Sequence, residues 1–230
     1  MTPPHPLDRP VWSALSTRQA HLALGDVRAV RMAPQFGLFA AAADGSAQSL
    51  AALAALVPAE GQVAMVGADV PGRVPGVVAE PQASWQMACR RLTEAPAATP
   101  AFEIVPLGEA DAPRMLALAT LTKPGPFFAR THQLGDFVGV KGPGGELLAM
   151  AGERLKPLGF TEVSGVCTAP EHRGRGYAGA LMRVVAGAIL ARGEIPFLHS
   201  NAHNTGANAL YQSLGFALRR EVTMTVLTRG

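Results

Sequence analysis

The chain has 230 residues, of which 48% are hydrophobic and 16% are charged, so its composition is that of a folded protein and not of a disordered chain. Lys and Arg together number 20 against 17 Asp and Glu, and the excess lies in residues 101–230. An excess of positive charge this small and scattered argues against a nucleic-acid partner.

No secretory or membrane-spanning pattern is visible in the sequence. The N-terminus lacks a basic segment followed by an apolar one, and no uncharged apolar run reaches the ~18 residues that a membrane span needs. Cys89 and Cys167 lie far apart without metal-ligand spacing, so we expect two reduced, buried thiols and no metal site. These features predict a cytoplasmic protein with no membrane partner, and they leave the oligomeric state open.

The first part of the chain, residues 1–95, is predicted to form a smaller α/β module. Apolar spacing and turn residues predict helices over 12–24, 47–57 and 84–92, and strands over 27–32, 36–43 and 62–67. None of these segments contains a phosphate-binding loop, a metal-ligand set or a nucleophile with its base. The stretch TEAPAATP, residues 93–100, has the composition of a linker, so we place the domain boundary there.

The remaining residues, 102–230, contain alternating strand and helix patterns. Strands are predicted over 102–107, 137–141, 146–156, 160–168, 195–201 and 216–228, and helices over 111–122, 127–134, 177–190 and 205–214. The turn Gly142-Pro143-Gly144-Gly145 joins two of the strands as an antiparallel hairpin. Hairpins followed by crossover helices predict an α/β fold with a mixed, mostly antiparallel sheet flanked by helices.

One loop in this domain has the features of an anion-binding site. Arg173-Gly174-Arg175-Gly176 follows the strand over 160–168 and comes directly before the helix that starts at Tyr177. The first turn of a helix presents free backbone N–H groups and the positive end of its dipole, which together bind phosphate. The alternative is a helix cap without a ligand. Two arginines interleaved with two glycines argue against it, since ordinary caps carry Ser, Thr or Asp.

The same loop also spells the dinucleotide fingerprint Gly174-x-Gly176-x-x-Gly179. That motif requires a strand running straight into the first glycine and an acidic residue at the end of the next strand. Here residues 169–172 intervene, and Glu194 precedes the next strand instead of ending it. We therefore reject a dinucleotide site.

Two motifs together give the domain a family resemblance. The first, Arg/Gln-x-x-Gly-x-Gly/Ala, is matched by Arg173, Gly174, Arg175, Gly176, Tyr177 and Ala178. The second, Asn-x-x-Ala-x-x-Leu-Tyr-x-x-Leu-Gly-Phe, is matched by Asn204, Ala207, Leu210, Tyr211, Leu214, Gly215 and Phe216. With these motifs on a strand–helix–strand–helix frame, residues 102–230 resemble the GNAT superfamily of N-acetyltransferases. For residues 1–95, a degenerate copy of the same fold is one alternative.

The resemblance implies an acetyl-coenzyme A site. In GNAT proteins the loop matched by residues 173–178 binds the pyrophosphate. The end of the preceding strand, here Val166, Cys167 and Thr168, pairs with the pantetheine arm as an added strand would. Asn204 is a plausible helix cap that also touches the cofactor under this interpretation. No metal is implied.

The resemblance also suggests two catalytic residues. Tyr211 corresponds to a tyrosine that protonates the departing thiolate, and its alternative is a core tyrosine in an apolar stripe. Glu162 precedes Arg173 by eleven residues, the offset of a general-base glutamate in one branch of the superfamily. Its alternative is a surface glutamate at a strand start. Many members of the superfamily use water or a backbone carbonyl as the base instead.

The expected function is therefore transfer of an acetyl group from acetyl-coenzyme A to an amine, by direct attack in a ternary complex. The acceptor would be a small-molecule or peptide amine that the sequence does not identify. The alternative is a GNAT-fold module that binds acyl-coenzyme A as a sensor or scaffold without catalysis.

Overall fold

The computed structural model describes residues 5–68, 70–94 and 101–230. The helices are α1 (Pro10–Leu15), α2 (Ala47–Leu56), α3 (Ala112–Thr122), α4 (Tyr177–Ala191) and α5 (Thr205–Ser213). The strands are β1 (Ala23–Gly25), β2 (Ala29–Met32), β3 (Ala40–Ala42), β4 (Gln62–Gly67), β5 (Val77–Ala88), β6 (Val105–Leu107), β7 (Phe137–Lys141), β8 (Leu147–Glu153), β9 (Phe160–Thr168), β10 (Ile195–Asn201) and β11 (Ala217–Arg229). Short 3-10 turns lie at Pro6–Asp8, Ala20–Leu22, Glu109–Asp111, Thr131–Leu134 and Pro170–His172.

Eight strands form the main sheet, in the order β4-β11-β5-β10-β9-β8-β7-β6. All neighbours are antiparallel except β9 and β10, which are parallel. Alternate residues of a strand face opposite sides of the sheet. On β8, Ala149 and Ala151 pack with apolar side chains of α4, whereas Met150 packs with apolar side chains of α3. The two helices therefore cover opposite faces, and the predicted mixed, mostly antiparallel sheet flanked by helices is confirmed.

The first part of the chain is built into this sheet and is not a separate module. Strand β5 lies between β10 and β11 and pairs with both, and β4 pairs with the outer edge of β11. Side chains from both parts also share one core, with Leu7 and Phe39 in contact with the cluster that contains Phe197 and Val222. The predicted division into residues 1–95 and 102–230 is therefore corrected. Of the predicted linker, residues 95–100 lie outside the described part.

The predicted helix over 84–92 is wrong, because these residues form the end of β5 and the turn that follows. The stretch ASWQMACRRL has apolar residues at helical spacing, which is the local signal that misled the prediction. In the structure Trp85 is paired with Ser200 on one side and with Glu221 on the other. Pairing with two distant strands overrides the local preference.

Two other predicted helices are shorter than expected. The helix over 12–24 ends as α1 at Leu15, because the later residues turn and then enter β1, which pairs with β2 in a small three-stranded sheet of β1, β2 and β3. The helix over 127–134 is reduced to the 3-10 turn Thr131–Leu134. The remaining strands and helices of the C-terminal part lie close to their predicted positions.

A β-bulge at Gly165 changes the faces of β9. Gly165 has φ +64°, and the pairing with β8 shifts between the pairs Gly152–Ser164 and Met150–Cys167. Because of the extra residue, Val163 and Val166 pack on the same cluster. Simple alternation along a strand would place Val166 on the same face as Glu162, and the bulge moves it to the opposite face.

Strands β9 and β10 pair only at their beginnings. Ile195 to Phe197 are opposite Phe160 to Glu162, and no further pairs join the two strands. Beyond this point the facing edges of β9 and β10 diverge into a wedge in the middle of the sheet. The loop before α4 and the start of α5 lie at the open end of this wedge.

Candidate functional site

A cleft of about 740 Å³ occupies the wedge between β9 and β10. Its walls come from the end of β9, the loop before α4, the end of β10, α5, the loop after α3 and strands β5 and β11. Its lining includes the predicted residues Val166, Cys167, Thr168, Arg173, Gly174, Arg175, Gly176, Tyr177, Ala178, Asn204 and Tyr211. The fold therefore brings all of these residues to one place, although they come from two separate motifs.

The loop before α4 presents a row of backbone donors. Within the described part of the chain, the N–H groups of residues 174–179 donate to no protein acceptor, and the first hydrogen bond of the helix is Ala180 N–H to Gly176 O. No side chain caps this end, since the N-cap position is Gly176. The free N–H groups and the helix dipole together favour an anionic group at this position.

The two glycines of the loop are required by its backbone conformation. Gly174 has φ +75° and Gly176 has φ +79°, in the left-handed region that other L-residues rarely adopt. A Cβ atom built on either glycine would meet no atom within 4 Å. The protein itself therefore leaves open the space into which the loop faces, and this cradle suits a pyrophosphate.

The charged side chains that line the cleft are all positive among the residues described. They are Lys123 in the loop after α3, Arg154 after β8, and Arg173 and Arg175 in the loop before α4. No Asp or Glu is part of this lining. A cleft of this charge suits an anionic ligand and disfavours a cationic one.

The end of β9 has one free edge. On its other edge Thr168 and Cys167 are paired with Ala149 and Met150 of β8. Burial raises the pKa of the Cys167 thiol to about 11, which leaves it protonated and unsuited to act as a nucleophile. What this segment offers to a ligand is therefore its backbone, as expected for strand-like pairing with an extended molecule.

Tyr211 reaches the cleft from α5. Its ring packs against the apolar cluster of α4, and its hydroxyl makes no hydrogen bond within the described part of the chain. Burial raises the pKa of the Tyr211 phenol, so the hydroxyl keeps its proton at neutral pH. Asn204, at the start of the same helix, accepts a hydrogen bond from Ala207 N–H at 3.2 Å and is the predicted cap.

Glu162 lies at the vertex of the wedge and is not exposed to the cleft. Its exposed fraction is 0%, and it is absent from the cleft lining. Arg154 donates from Nε to Oε2 and from Nη2 to Oε1, both at 2.9 Å, and His199 Nδ1 lies 2.7 Å from Oε1. Burial would raise the pKa of the Glu162 carboxyl, but the charge and hydrogen bonds of Arg154, together with the hydrogen bond from His199, lower it to about 2.

The hydrogen bonds around His199 define the state of its ring. Arg219 Nη1 donates to Gln86 Oε1 at 2.8 Å, and Gln86 Nε2 donates to Leu7 O at 2.8 Å, so the orientation of the Gln86 amide is settled. The second Gln86 Nε2 hydrogen therefore points to His199 Nε2, 3.1 Å away. His199 Nε2 must accept, which makes the ring neutral with its proton on Nδ1, donated to Glu162.

The prediction of Glu162 as the general base is corrected by this geometry. A base must reach the proton that it removes, and its pKa should lie near the working pH. Glu162 is sealed from the cleft, both of its oxygens are occupied, and its pKa of about 2 makes it a very weak proton acceptor. The carboxylate instead fixes the positions of Arg154 and His199.

Several residues of the cleft were not predicted from the sequence. Gln82 and Ser84 come from β5, which had been assigned to another module, and Met224 comes from the facing part of β11. Arg154 and Lys123 belong to no motif. Glu153 and Arg154 are adjacent charged residues at the end of an otherwise apolar strand. Because buried charges require partners, these two residues were a signal in the sequence for a buried polar network.

The described residues contain no group of three or more His, Cys, Asp or Glu side chains that could hold a metal ion. In the same part of the chain, no helix is long and apolar enough to cross a membrane. Cys89 and Cys167 are both buried and free.

Comparison with known proteins identifies the family. A family model described as FR47-like protein matches residues 138–225. A solved structure from Novosphingobium aromaticivorans DSM 12444, assigned to the GNAT family of acetyltransferases, is 42% identical over 99% of this chain and 100% of its own, with a TM-score of 0.87. A GCN5-related N-acetyltransferase from Kribbella flavida, 18% identical over 96% and 95% of the two chains with a TM-score of 0.68, shows likeness of fold alone. The search of curated proteins found no match. The chain belongs to the GNAT family of acetyltransferases.

The structural role of Glu162 is testable by stability. We expect Glu162→Gln to lower the free energy of unfolding by about 3–5 kcal/mol at neutral pH, because the variant leaves the buried Arg154 without its charged partner. The pKa of Glu162 is about 2 in the folded chain and ordinarily 4.5. The contribution of the ionised carboxylate to the free energy of unfolding is therefore complete above about pH 5 and is lost as the pH falls towards 2. The deficit of the variant should therefore shrink on acidification, as measured by urea unfolding at several pH values.

The matched control is Glu60→Gln, which changes an exposed loop carboxylate and should cost less than about 0.5 kcal/mol. Equal stabilities of the Glu162→Gln variant and the control would contradict the assignment.

Proposed function

We propose that the protein is an acetyl-coenzyme A-dependent N-acetyltransferase that acts on an amine acceptor. The observation that carries the proposal is the row of six free backbone N–H groups, residues 174–179, at the end of a wedge in the sheet. This arrangement suits one ligand with a pyrophosphate at one end and an extended, amide-bearing arm, and coenzyme A has that form.

The residues present fit the donor molecule along its length. The N–H groups of residues 174–179 would hold the pyrophosphate, with Arg173 and Arg175 beside it. The free edge of β9 at residues 166–168 would pair with the pantetheine arm, and Asn204 would contact it from the start of α5. When bound, the molecule supplies an activated acetyl group as a thioester.

The residues of the cleft would then promote direct attack by the amine on the thioester carbonyl. The new C–N bond forms, the C–S bond breaks, and the amine loses one proton. Holding the two reactants together in the wedge supplies much of the acceleration, since the attack no longer requires a chance encounter. Tyr211, protonated and without a protein hydrogen-bond partner, is the residue suited to donate to the departing sulfur.

No carboxylate of the described residues lines the cleft to accept the amine proton. Lys123 and Arg154 disfavour a protonated amine beside them, because like charges lower the pKa of an ammonium group. We therefore propose that the acceptor reacts as the free amine and that the proton lost on attack passes to water in the open cleft. This differs from the role that the sequence suggested for Glu162.

The loop before α4 can be tested by two glycine substitutions at opposite ends of the same helix. Gly176 and Gly193 have φ of +79° and +78°, and neither has an atom within 4 Å of a built Cβ. Alanine should therefore cost a similar ~1–2 kcal/mol of stability at each position. Only Gly176→Ala should disturb the N–H groups of the loop, and we expect it to raise the Kd for coenzyme A about tenfold in calorimetric titrations. An equal effect of Gly193→Ala on the Kd would contradict the placement of the pyrophosphate.

The role of Tyr211 is tested by Tyr211→Phe, which removes only the hydroxyl. We expect kcat to fall by about 100-fold while the Kd for coenzyme A stays within about twofold, because the ring still packs against α4. The measurement is steady-state acetyl transfer combined with calorimetry.

An unchanged kcat would remove Tyr211 from the mechanism. A wild-type chain that binds acetyl-coenzyme A but acetylates nothing in a broad panel of amines would instead indicate a sensor or scaffold.

A further inference from the structure

Arg154 is buried, yet it uses only part of its hydrogen-bonding capacity. Its exposed fraction is 6%. The Nε and Nη2 edge of the guanidinium binds Glu162, whereas Nη1 makes no hydrogen bond within the described part of the chain. A guanidinium has five N–H donors, so the end formed by Nη1 and the outer hydrogen of Nη2 remains free for a second planar acceptor.

This free end of Arg154 faces the cleft. Nη1 lies 3.8 Å from the position of a Cβ atom built on Gly125, and Gly125 and Arg154 both line the cleft. The guanidinium carbon also lies 4.6 Å from the ring centroid of Phe39, a cation–π contact that helps to hold the group in place. A few side-chain atoms of the described residues are sealed from solvent and have no hydrogen-bond partner. Nη1 is not one of them, so it is open to solvent although it has no protein partner in that part of the chain. A ligand in the cleft can therefore reach it.

Lys123 adds a second positive charge to the lining of the cleft, in the same loop as Gly125. It lines the cleft two residues before Gly125, and its ammonium has no carboxylate within 4.0 Å among the described residues. It is also the one non-glycine residue of the described chain with positive φ, at +51°. Such a conformation costs about 1 kcal/mol or more, and the fold retains it at the wall of the cleft.

Arg154 lies far from the loop proposed to hold the pyrophosphate. Its partner Glu162 is six residues before the end of β9 at Thr168, and six residues of strand span roughly 20 Å. The phosphate-binding loop begins beyond that end. Arg154 therefore lies at the vertex, where the acetyl group and the acceptor would meet, and its free donors are not explained by the phosphates of the donor.

We infer that the acceptor is a small amine that carries a carboxylate, such as an amino acid, and that the free end of Arg154 together with Lys123 binds that carboxylate. The inference rests on the proposed function. The Arg154–Glu162 pair is neutral as a unit and His199 is neutral, so Lys123 leaves this region with a net positive charge. A carboxylate would neutralise it and satisfy the open guanidinium edge, whereas a polyamine or a lysine-rich peptide would meet no acidic side chain.

The test compares amines that differ only in the carboxylate. Acetyl transfer by the full chain is measured with glycine, L-phenylalanine and L-glutamine, with the carboxamide of each, and with spermidine. We expect kcat/KM for at least one acid to exceed that for its amide by about 10- to 100-fold, the value of charge-assisted hydrogen bonds. The amides have less basic amines and present more free base, so a preference for the acid cannot come from amine basicity.

Two variants connect this preference to the residues named. Lys123→Gln and Arg154→Lys should each reduce the acid-to-amide ratio by about tenfold or more, while KM for acetyl-coenzyme A is unchanged. Arg154→Lys keeps a cation beside Glu162 but removes the planar fork. The ratio is measured within each variant, so it does not depend on the folded fraction. Arg114→Gln, on the exposed side of α3, is the control and should leave the ratio unchanged.

The outcomes separate the inference from the function on which it rests. If the chain acetylates amides or spermidine as well as the acids, the carboxylate site is overturned and the proposed function stands. A preference for acids that survives both substitutions overturns the assignment to Arg154 and Lys123. If no amine is acetylated although acetyl-coenzyme A binds, the proposed function fails and the inference fails with it.

Discussion

The vertex of the wedge depends on one buried carboxylate. Glu162 is fully enclosed and joins Arg154, at the end of β8, to His199 on β10. A buried charge is tolerated only when it is paired and hydrogen-bonded, so these three side chains must be ordered together. They lie where β9 and β10 stop pairing. The carboxylate therefore holds together the strands whose divergence creates the cleft.

The network continues into the first part of the chain and connects that part to the vertex of the wedge. His199 is hydrogen-bonded to Gln86 of β5, and Gln86 accepts from Arg219 of β11. Arg219 in turn donates to Asp8 at 2.7 Å. One polar network thus runs from Arg154, directly after β8, across the four neighbouring strands β9, β10, β5 and β11. The same β5 supplies Gln82 and Ser84 to the lining of the cleft, so this part of the chain contributes directly to the site.

The features that could be read from the sequence are those encoded locally. The positions of the loop before α4 and of the cap Asn204 follow from short segments with special conformations, and the structure places them as the spacing indicates. The state of Glu162 could not be read in this way. Its burial and low pKa depend on Arg154 and His199, which lie 8 and 37 residues away along the chain. Strand β5 was missed for a similar reason, since its partners come more than a hundred residues later.

We propose that the wedge binds coenzyme A, with its pyrophosphate on the free N–H groups of residues 174–179. A crystal structure of the full chain with coenzyme A tests it most directly. We expect phosphate oxygens within hydrogen-bond distance of those N–H groups and a pantetheine arm between β9 and β10, with the sulfur between Tyr211 and Arg154. A cofactor bound elsewhere, with the N–H groups of residues 174–179 facing solvent, would contradict it.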